Sequence, residues 1–166
     1  MKILFICTGN VFRSMIAEKC LKDYLRREGI NGVEVDSAGT APIVQNLLTE
    51  VVDRLDFYQI ESNSHQYKKV TEKLLKENDF VIPMSTDHQE YLLDEFAYKA
   101  ELFNKLAHDK DEGILDFHEY NTAVDSFENP KYKEFIESYA NDMVDYIYKS
   151  IPKLFGNLRK ISKPSN

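Results

Sequence analysis

Cys7-Thr8-Gly9-Asn10-Val11-Phe12-Arg13-Ser14 is the stretch around which the rest of the chain is arranged. A largely apolar run of strand length, residues 2–6, precedes it, and apolar residues recur at helical spacing behind it up to Gly29. The eight residues are therefore predicted to form the turn between a buried strand and an amphipathic helix. A helix N-terminus presents free backbone N–H groups and the positive end of the helix dipole, which together favour an anion.

The residue types in this turn suit the transfer of a phosphoryl group. Five residues between the Cys7 thiol and the Arg13 guanidinium let the backbone curl until its N–H groups converge on one oxyanion. Gly9 relieves the steric cost of an unusual backbone conformation, and Asn10 is the residue that next best tolerates a positive φ. Arg13 can hold two phosphate oxygens with its planar fork, and a hydroxyl at Ser14 can stabilise the Cys7 thiolate. The alternative is a buried structural cysteine that happens to lie beside a surface arginine.

Composition and charge narrow the class of protein. The 166 residues predict one domain, which we place at residues 1–157, followed by a flexible tail at residues 158–166. The net charge of −7 argues against nucleic-acid binding, because nucleic-acid sites are basic. No run approaches the roughly 20 apolar residues of a membrane span, so we expect no membrane association.

The cysteines and the opening residues predict a cytoplasmic location. The two cysteines, Cys7 and Cys20, lack the paired spacing of zinc sites, and Cys20 lies on the apolar face of the first helix as a structural thiol. The opening apolar run is too short for a signal peptide. A reducing compartment suits a thiolate nucleophile, and we expect neither a metal nor a cofactor.

Strand and helix patterns alternate along the chain in the order β-α-β-α-α-β-α-β-loop-α. After the first strand, residues 33–35 and 80–82 predict buried strands, and Ala100–Phe103 is a weaker strand candidate. The small polar residues Asp36–Thr40 predict a loop, and Asn129-Pro130 predicts the start of the last helix. This order favours a parallel sheet covered by helices on both faces, with the ligand at the carboxyl ends of its strands.

These residues together resemble the low-molecular-weight protein tyrosine phosphatases. The resemblance rests on residues 3–18, 36–40, 64–65 and 79–85. It implies a three-layer α/β/α fold with a four-stranded parallel sheet of order 2-1-3-4. It also implies a phosphocysteine intermediate on Cys7, with the phosphate bound by Arg13 and the other residues of the loop: Thr8, Gly9, Asn10, Val11, Phe12 and Ser14. In relatives, residues that match Ser37 and His65 support the loop through its asparagine; a loop histidine in water is the alternative for His65.

The resemblance further requires a general acid, because the leaving oxygen of a phosphate ester must take up a proton. The family places this aspartate in an Asp-Pro-aromatic motif before the last helix. We favour Asp125-Ser126-Phe127, in which Asp125 is the acid, Phe127 walls the pocket for an aromatic substrate, and Ser126 replaces the proline. The competing match, Asn129-Pro130, keeps the proline but lacks the acid, which predicts an enzyme with severely reduced activity. Asp116, beside Phe117, is the third candidate.

Three departures from the family bear on reactivity and substrate. Phe12 stands where relatives often carry a second cysteine that protects the nucleophile, so Cys7 is expected to be open to over-oxidation. Val11 is apolar, as in the tyrosine phosphatases, whereas the related arginine phosphatases carry threonine there. Residues 41–59, which are expected to border the pocket, match the family poorly.

The expected function is that of a monomeric, cytoplasmic phosphomonoester hydrolase. Its predicted substrate is a phosphotyrosine-bearing protein or a small aryl phosphate, and its product is inorganic phosphate. One alternative is an arsenate reductase, for which Cys20 is a poor resolving cysteine. The other is a phosphate-binding regulatory module with weak or no turnover, which becomes the better interpretation if Asn129 occupies the acid position.

Overall fold

The computed structural model describes residues 1–41, 47–120 and 129–162. These residues form three strands and seven helices: β1 (Lys2–Cys7), α1 (Arg13–Arg27), β2 (Glu34–Gly39), α2 (Thr49–Phe57), α3 (Glu72–Glu77), β3 (Phe80–Pro83), α4 (Thr86–Phe96), α5 (Phe103–His108), α6 (Phe117–Tyr120) and α7 (Tyr132–Ile161).

The sheet is parallel, with β1 between its two neighbours in the order β2-β1-β3. Cys7 at the end of β1 lies beside Gly39 at the end of β2, and Ile6 lies beside Pro83 at the end of β3. The carboxyl ends of all three strands therefore meet at one edge, where the ligand of an open parallel sheet is expected. Pro83 is accommodated because β3 ends at that residue.

The side chains of the central strand point alternately to the two faces of the sheet, and both faces are buried. Ile3 and Phe5 pack into the larger core cluster, which contains residues of α1, α2, α5 and α7. Leu4 and Ile6 pack into the smaller cluster, which contains Leu92 of α4. The predicted three-layer arrangement with a parallel sheet is confirmed.

Two local predictions about the strands are wrong. The segment Asp36–Gly39 continues β2 rather than forming a loop, because its backbone pairs with β1 despite its small polar side chains. Ala100–Phe103 is not a strand: α5 begins at Phe103. The described residues thus form three strands rather than the four expected. Just past the end of β3, Met84 O accepts a backbone hydrogen bond from Ile114 N (2.8 Å).

The final helix covers the sheet and passes the predicted start of the tail. It runs from Tyr132 to Ile161, and Leu158 is fully buried. It begins two residues after the predicted Asn129-Pro130 start, but the Asn129 side chain still accepts a hydrogen bond from Lys131 N (3.0 Å). The domain boundary at residue 157 remains a prediction. Within the described ranges, no helix is long and apolar enough to cross a membrane.

Candidate active site

The loop between β1 and α1 places a thiol at a helix N-terminus. Cys7 is the last residue of β1 and is only 2% exposed, while Arg13 is the first residue of α1. The Cys7 Sγ lies 2.9 Å from the Ser14 Oγ, at hydrogen-bond distance. With the thiol ionised, the Ser14 hydroxyl is the donor, so this contact is able to stabilise a thiolate.

The end of β2 holds the first turn of this loop. Thr40 N donates to Cys7 O (2.9 Å), and Ala41 N donates to Thr8 O (3.0 Å). A Cβ atom at Gly39 would lie 2.5 Å from Thr8 O, a distance that no side chain tolerates. Glycine is therefore required at position 39 for the close approach of the two backbones.

Asn10 supports the loop from inside. It is fully buried and has a φ of +56°, in the left-handed region that asparagine tolerates better than most residues. Its Nδ2 donates to Ser14 Oγ (3.1 Å) and to Ser37 Oγ (2.8 Å), and its Oδ1 accepts from Lys68 N (3.0 Å). The contact with Ser37 is the one that the resemblance implies.

His65 reaches the same residue through the main chain. Its side chain is 2% exposed, and its Nε2 lies 2.6 Å from Asn10 O, so Nε2–H donates to that carbonyl. Burial lowers the pKa of His65, against the opposing effects of the Asn10 carbonyl and of Glu18. The structure brings His65 to the loop, in contrast to the alternative of a loop histidine in water.

Glu18 is a member of this network that the sequence analysis missed. It is buried on α1, accepts a hydrogen bond from Ser37 Oγ, and lies 3.8 Å from His65 Nδ1. Lys22, one turn further on, offsets its charge. Its position one turn after Ser14, among the apolar residues of α1, is the signal that could have identified it.

A second missed group fixes Thr8 from the side of α4. The Ser85 backbone N–H donates to His88 Nδ1 (3.1 Å), so Nδ1 is unprotonated and the proton of the neutral ring is on Nε2. The His88 Nε2–H then donates to Thr8 Oγ1 (2.9 Å), which leaves the Thr8 hydroxyl proton available to another acceptor. Burial lowers the pKa of His88 to about 4, and the positive charge of Arg13 contributes to this shift.

The Arg13 guanidinium is buried and is held by the segment between α5 and α6. Its Nη1 donates to Ile114 O (3.0 Å), and its Nη2 donates to Asp116 Oδ2 (2.5 Å). Asp116 also accepts from Phe117 N through its Oδ1 (2.6 Å). Both oxygens of this third acid candidate therefore serve as acceptors within the fold.

The remaining predicted residues differ in what the structure describes. Val11 is buried, Gly9 and Phe12 are half-buried, and Thr8 is exposed. Asp125 and Phe127 lie outside the described residues.

Neutral His88 makes the stability of the fold depend on pH. An unfolded chain protonates this histidine near its ordinary pKa of 6.5, whereas the folded protein resists protonation down to about pH 4. The free energy of unfolding is therefore expected to fall by about 3 kcal/mol as the pH drops through this window. Asp87 and Asp116 oppose the shift. NMR titration of the ring tests the pKa directly, and urea unfolding of His88→Asn, which lacks a titrating ring, is the control. A ring that titrates near pH 6.5 in the folded protein would contradict this assignment.

Comparison with known proteins places this geometry in a family. The family model described as low molecular weight phosphotyrosine protein phosphatase matches residues 2–163. The protein-arginine-phosphatase of Bacillus subtilis (strain 168) is 33% identical over 104 residues, which are 62% of this chain and 69% of that protein. The low molecular weight protein-tyrosine-phosphatase Ptp of Acinetobacter johnsonii is 25% identical over 122 residues, 73% of this chain and 82% of that protein.

Solved structures share the fold over almost the whole chain. The solution structure of a low molecular weight protein tyrosine phosphatase from Bacillus subtilis has a TM-score of 0.75 at 24% identity, covering 98% of this chain and 100% of that one. A mutant of YwlE arginine phosphatase with a phosphorylated active-site serine has a TM-score of 0.79 at 24% identity, covering 98% of each chain. Because the family model spans nearly the entire sequence, the resemblance seen in the sequence is confirmed: the chain belongs to the low molecular weight phosphotyrosine protein phosphatase family.

Proposed function

We propose that this protein hydrolyses phosphomonoesters through a phosphocysteine intermediate on Cys7, and that its substrate carries phosphotyrosine or a similar aryl phosphate. The observation that carries the proposal is the position of the Cys7 thiol. It lies at the N-terminus of α1, 2.9 Å from the Ser14 hydroxyl and next to the buried cation Arg13. Family membership supports the same chemistry.

In the first step, the Cys7 thiolate attacks phosphorus, and the bond to the leaving oxygen breaks. Arg13 and the loop N–H groups bind the remaining phosphate oxygens, whose charge they stabilise in the transition state. Asp125 donates a proton to the leaving oxygen, which departs as the alcohol or phenol.

In the second step, water attacks the phosphorus of the phosphocysteine while Asp125 takes up its proton. The sulfur–phosphorus bond breaks, inorganic phosphate leaves, and Cys7 returns to the thiolate, with the Ser14 hydroxyl donating to it. Asp125 is then protonated again and ready for the next ester.

Asp125 is proposed as the acid because the described alternatives have other roles. Asp116 uses one oxygen for Arg13 and the other for Phe117 N. The Asn129 side chain accepts from Lys131 N in the turn that leads into α7, which is a sufficient reason for its presence there. Both oxygens of Asp116 are thus engaged as acceptors, and the amide of Asn129 has no acidic proton to donate.

Arsenate reduction needs a second, resolving cysteine, and the structure gives little support for one. Cys20, the only other cysteine of the sequence, is fully buried in α1. Burial raises the pKa of Cys20, which keeps the thiol protonated and poorly nucleophilic.

Phosphoarginine is a second candidate substrate, favoured by the arginine phosphatase relative from Bacillus subtilis. Val11 argues for phosphotyrosine instead. It is buried in the loop at the position where the arginine phosphatases of the family carry threonine, and an apolar side chain there offers no hydrogen bond to a charged substrate.

Substitutions at positions 125 and 129 test the mechanism. Asp125→Asn is expected to lower kcat by about 10² to 10⁴ for alkyl phosphates, whose leaving groups need a proton, and much less for an activated aryl phosphate. Asn129→Asp is the matched variant, and we expect it to change kcat less than about twofold. Steady-state kinetics over a series of leaving groups give both values. A large gain of activity in Asn129→Asp, with Asp125→Asn unaffected, would move the acid position to 129 and favour the regulatory module.

Replacement of Val11 tests the substrate class. The unaltered protein is expected to have a higher kcat/KM for a phosphotyrosine peptide than for a phosphoarginine peptide. Val11→Thr should lower that ratio by about tenfold, the effect of one hydrogen bond to a charged group. Val51→Thr buries the same hydroxyl in α2, so it controls for lost stability. A ratio that already favours phosphoarginine in the unaltered protein would overturn the assignment of phosphotyrosine.

A further inference from the structure

The guanidinium of Arg13 has two edges that can grip an anion or a carbonyl. The end-on edge presents Nη1 and Nη2, and the side-on edge presents Nε and the other N–H of Nη2. The segment after α5 bonds to the two Nη atoms: Ile114 O accepts from Nη1 at 3.0 Å, and Asp116 Oδ2 accepts from Nη2 at 2.5 Å. Within the described ranges, no protein group bonds to Nε. Nε–H, on the side-on edge, is thus left for an oxygen of a bound phosphate.

We propose that Asp116 is a positioning residue, which together with the Ile114 carbonyl orients Arg13 so that its side-on edge faces the phosphate. This inference rests on the proposed function, because it assigns the site a phosphate. Asp116 does not touch the reacting atoms; it acts through the arginine.

The segment that contains these two acceptors is itself fixed by contacts with its neighbours. Ile114 N donates to Met84 O (2.8 Å) at the end of β3, and Tyr139 OH of α7 donates to Leu115 O (3.1 Å). Gly113 packs so closely on Ser85 that an added Cβ atom would lie 2.8 Å from the Ser85 Cα. The acceptors that hold Arg13 are therefore fixed relative to the sheet.

Alternatively, the Asp116 carboxylate could compete with the phosphate for Arg13 by occupying the phosphate's place. Its second oxygen argues against this, because Oδ1 accepts from Phe117 N at 2.6 Å. Its own backbone N–H donates to Glu119 Oε2 (2.6 Å). The two contacts lie at the start of α6 and together cap that helix. A phosphate could displace this carboxylate only by undoing that cap, so the carboxylate is built into the frame of the site.

The burial of the pair fits the same role. The Arg13 side chain is 5% exposed, whereas the Asp116 side chain is 43% exposed. A buried guanidinium needs acceptors to offset its lost hydration, and these two supply them from outside the loop. Without Asp116, the arginine would keep one acceptor from this segment, the Ile114 carbonyl.

The test is inorganic phosphate binding to the full chain by calorimetry, together with kcat/KM on an aryl phosphate. Asparagine has one acceptor oxygen, so in Asp116→Asn it cannot serve both Arg13 and Phe117 N. We expect the Kd for phosphate to rise about tenfold and kcat/KM to fall at least as much. Glu119→Gln alters the cap of α6 and leaves the Arg13 contact in place, so its Kd should stay within about twofold of the unaltered protein.

A double-mutant cycle separates positioning from a structural role. In an Arg13→Lys background, there is no guanidinium for Asp116 to orient. Asp116→Asn is then expected to change the Kd for phosphate less than twofold. An equal loss in both backgrounds would show that Asp116 acts on the fold rather than on the arginine, and tighter phosphate binding by Asp116→Asn would identify a competitor; either result overturns the inference. An unaltered protein that binds phosphate without turning over aryl phosphates would refute the proposed function alone.

Discussion

The buried amide of Asn10 is the constraint on which the rest of the site depends. A turn that carries its N–H groups toward one anion needs a residue in the left-handed region, and Asn10 occupies that region at a φ of +56°. Its amide and its carbonyl are bonded to Ser14, Ser37, Lys68 N and His65. A buried polar group left unsatisfied costs about 1–3 kcal/mol, so these partners make the strained turn the stable conformation.

The charges around the loop leave Arg13 as a buried cation that can bind an anion. Arg13 is offset by Asp116 and by the Ile114 carbonyl, which accept from its two Nη atoms. His88 is neutral, because burial and the nearby guanidinium lower its pKa to about 4. Near neutral pH, the arginine therefore does not compete with a second cation beside Thr8.

Sequence pattern was sufficient where the signal is local. The apolar run before Cys7, the helical spacing after it and the spacing to Arg13 lie within one strand–turn–helix unit, and the structure forms that unit as predicted. It was insufficient where the contact is distant. His88 meets Thr8 across 80 positions, and Asp116 meets Arg13 across 103, so neither spacing carries a pattern. The polar segment Asp36–Gly39 misled for a related reason: tertiary pairing with β1 overrides its weak strand propensity.

The central claim is that phosphate is transferred to Cys7 itself. Rapid-quench mass spectrometry during turnover of an aryl phosphate tests it most directly. Peptide mapping should find one phosphoryl group on the peptide that contains Cys7, formed and consumed at rates no slower than kcat, and none in Cys7→Ala. Turnover without a labelled Cys7 peptide, or with the phosphoryl group on another residue, would contradict the account.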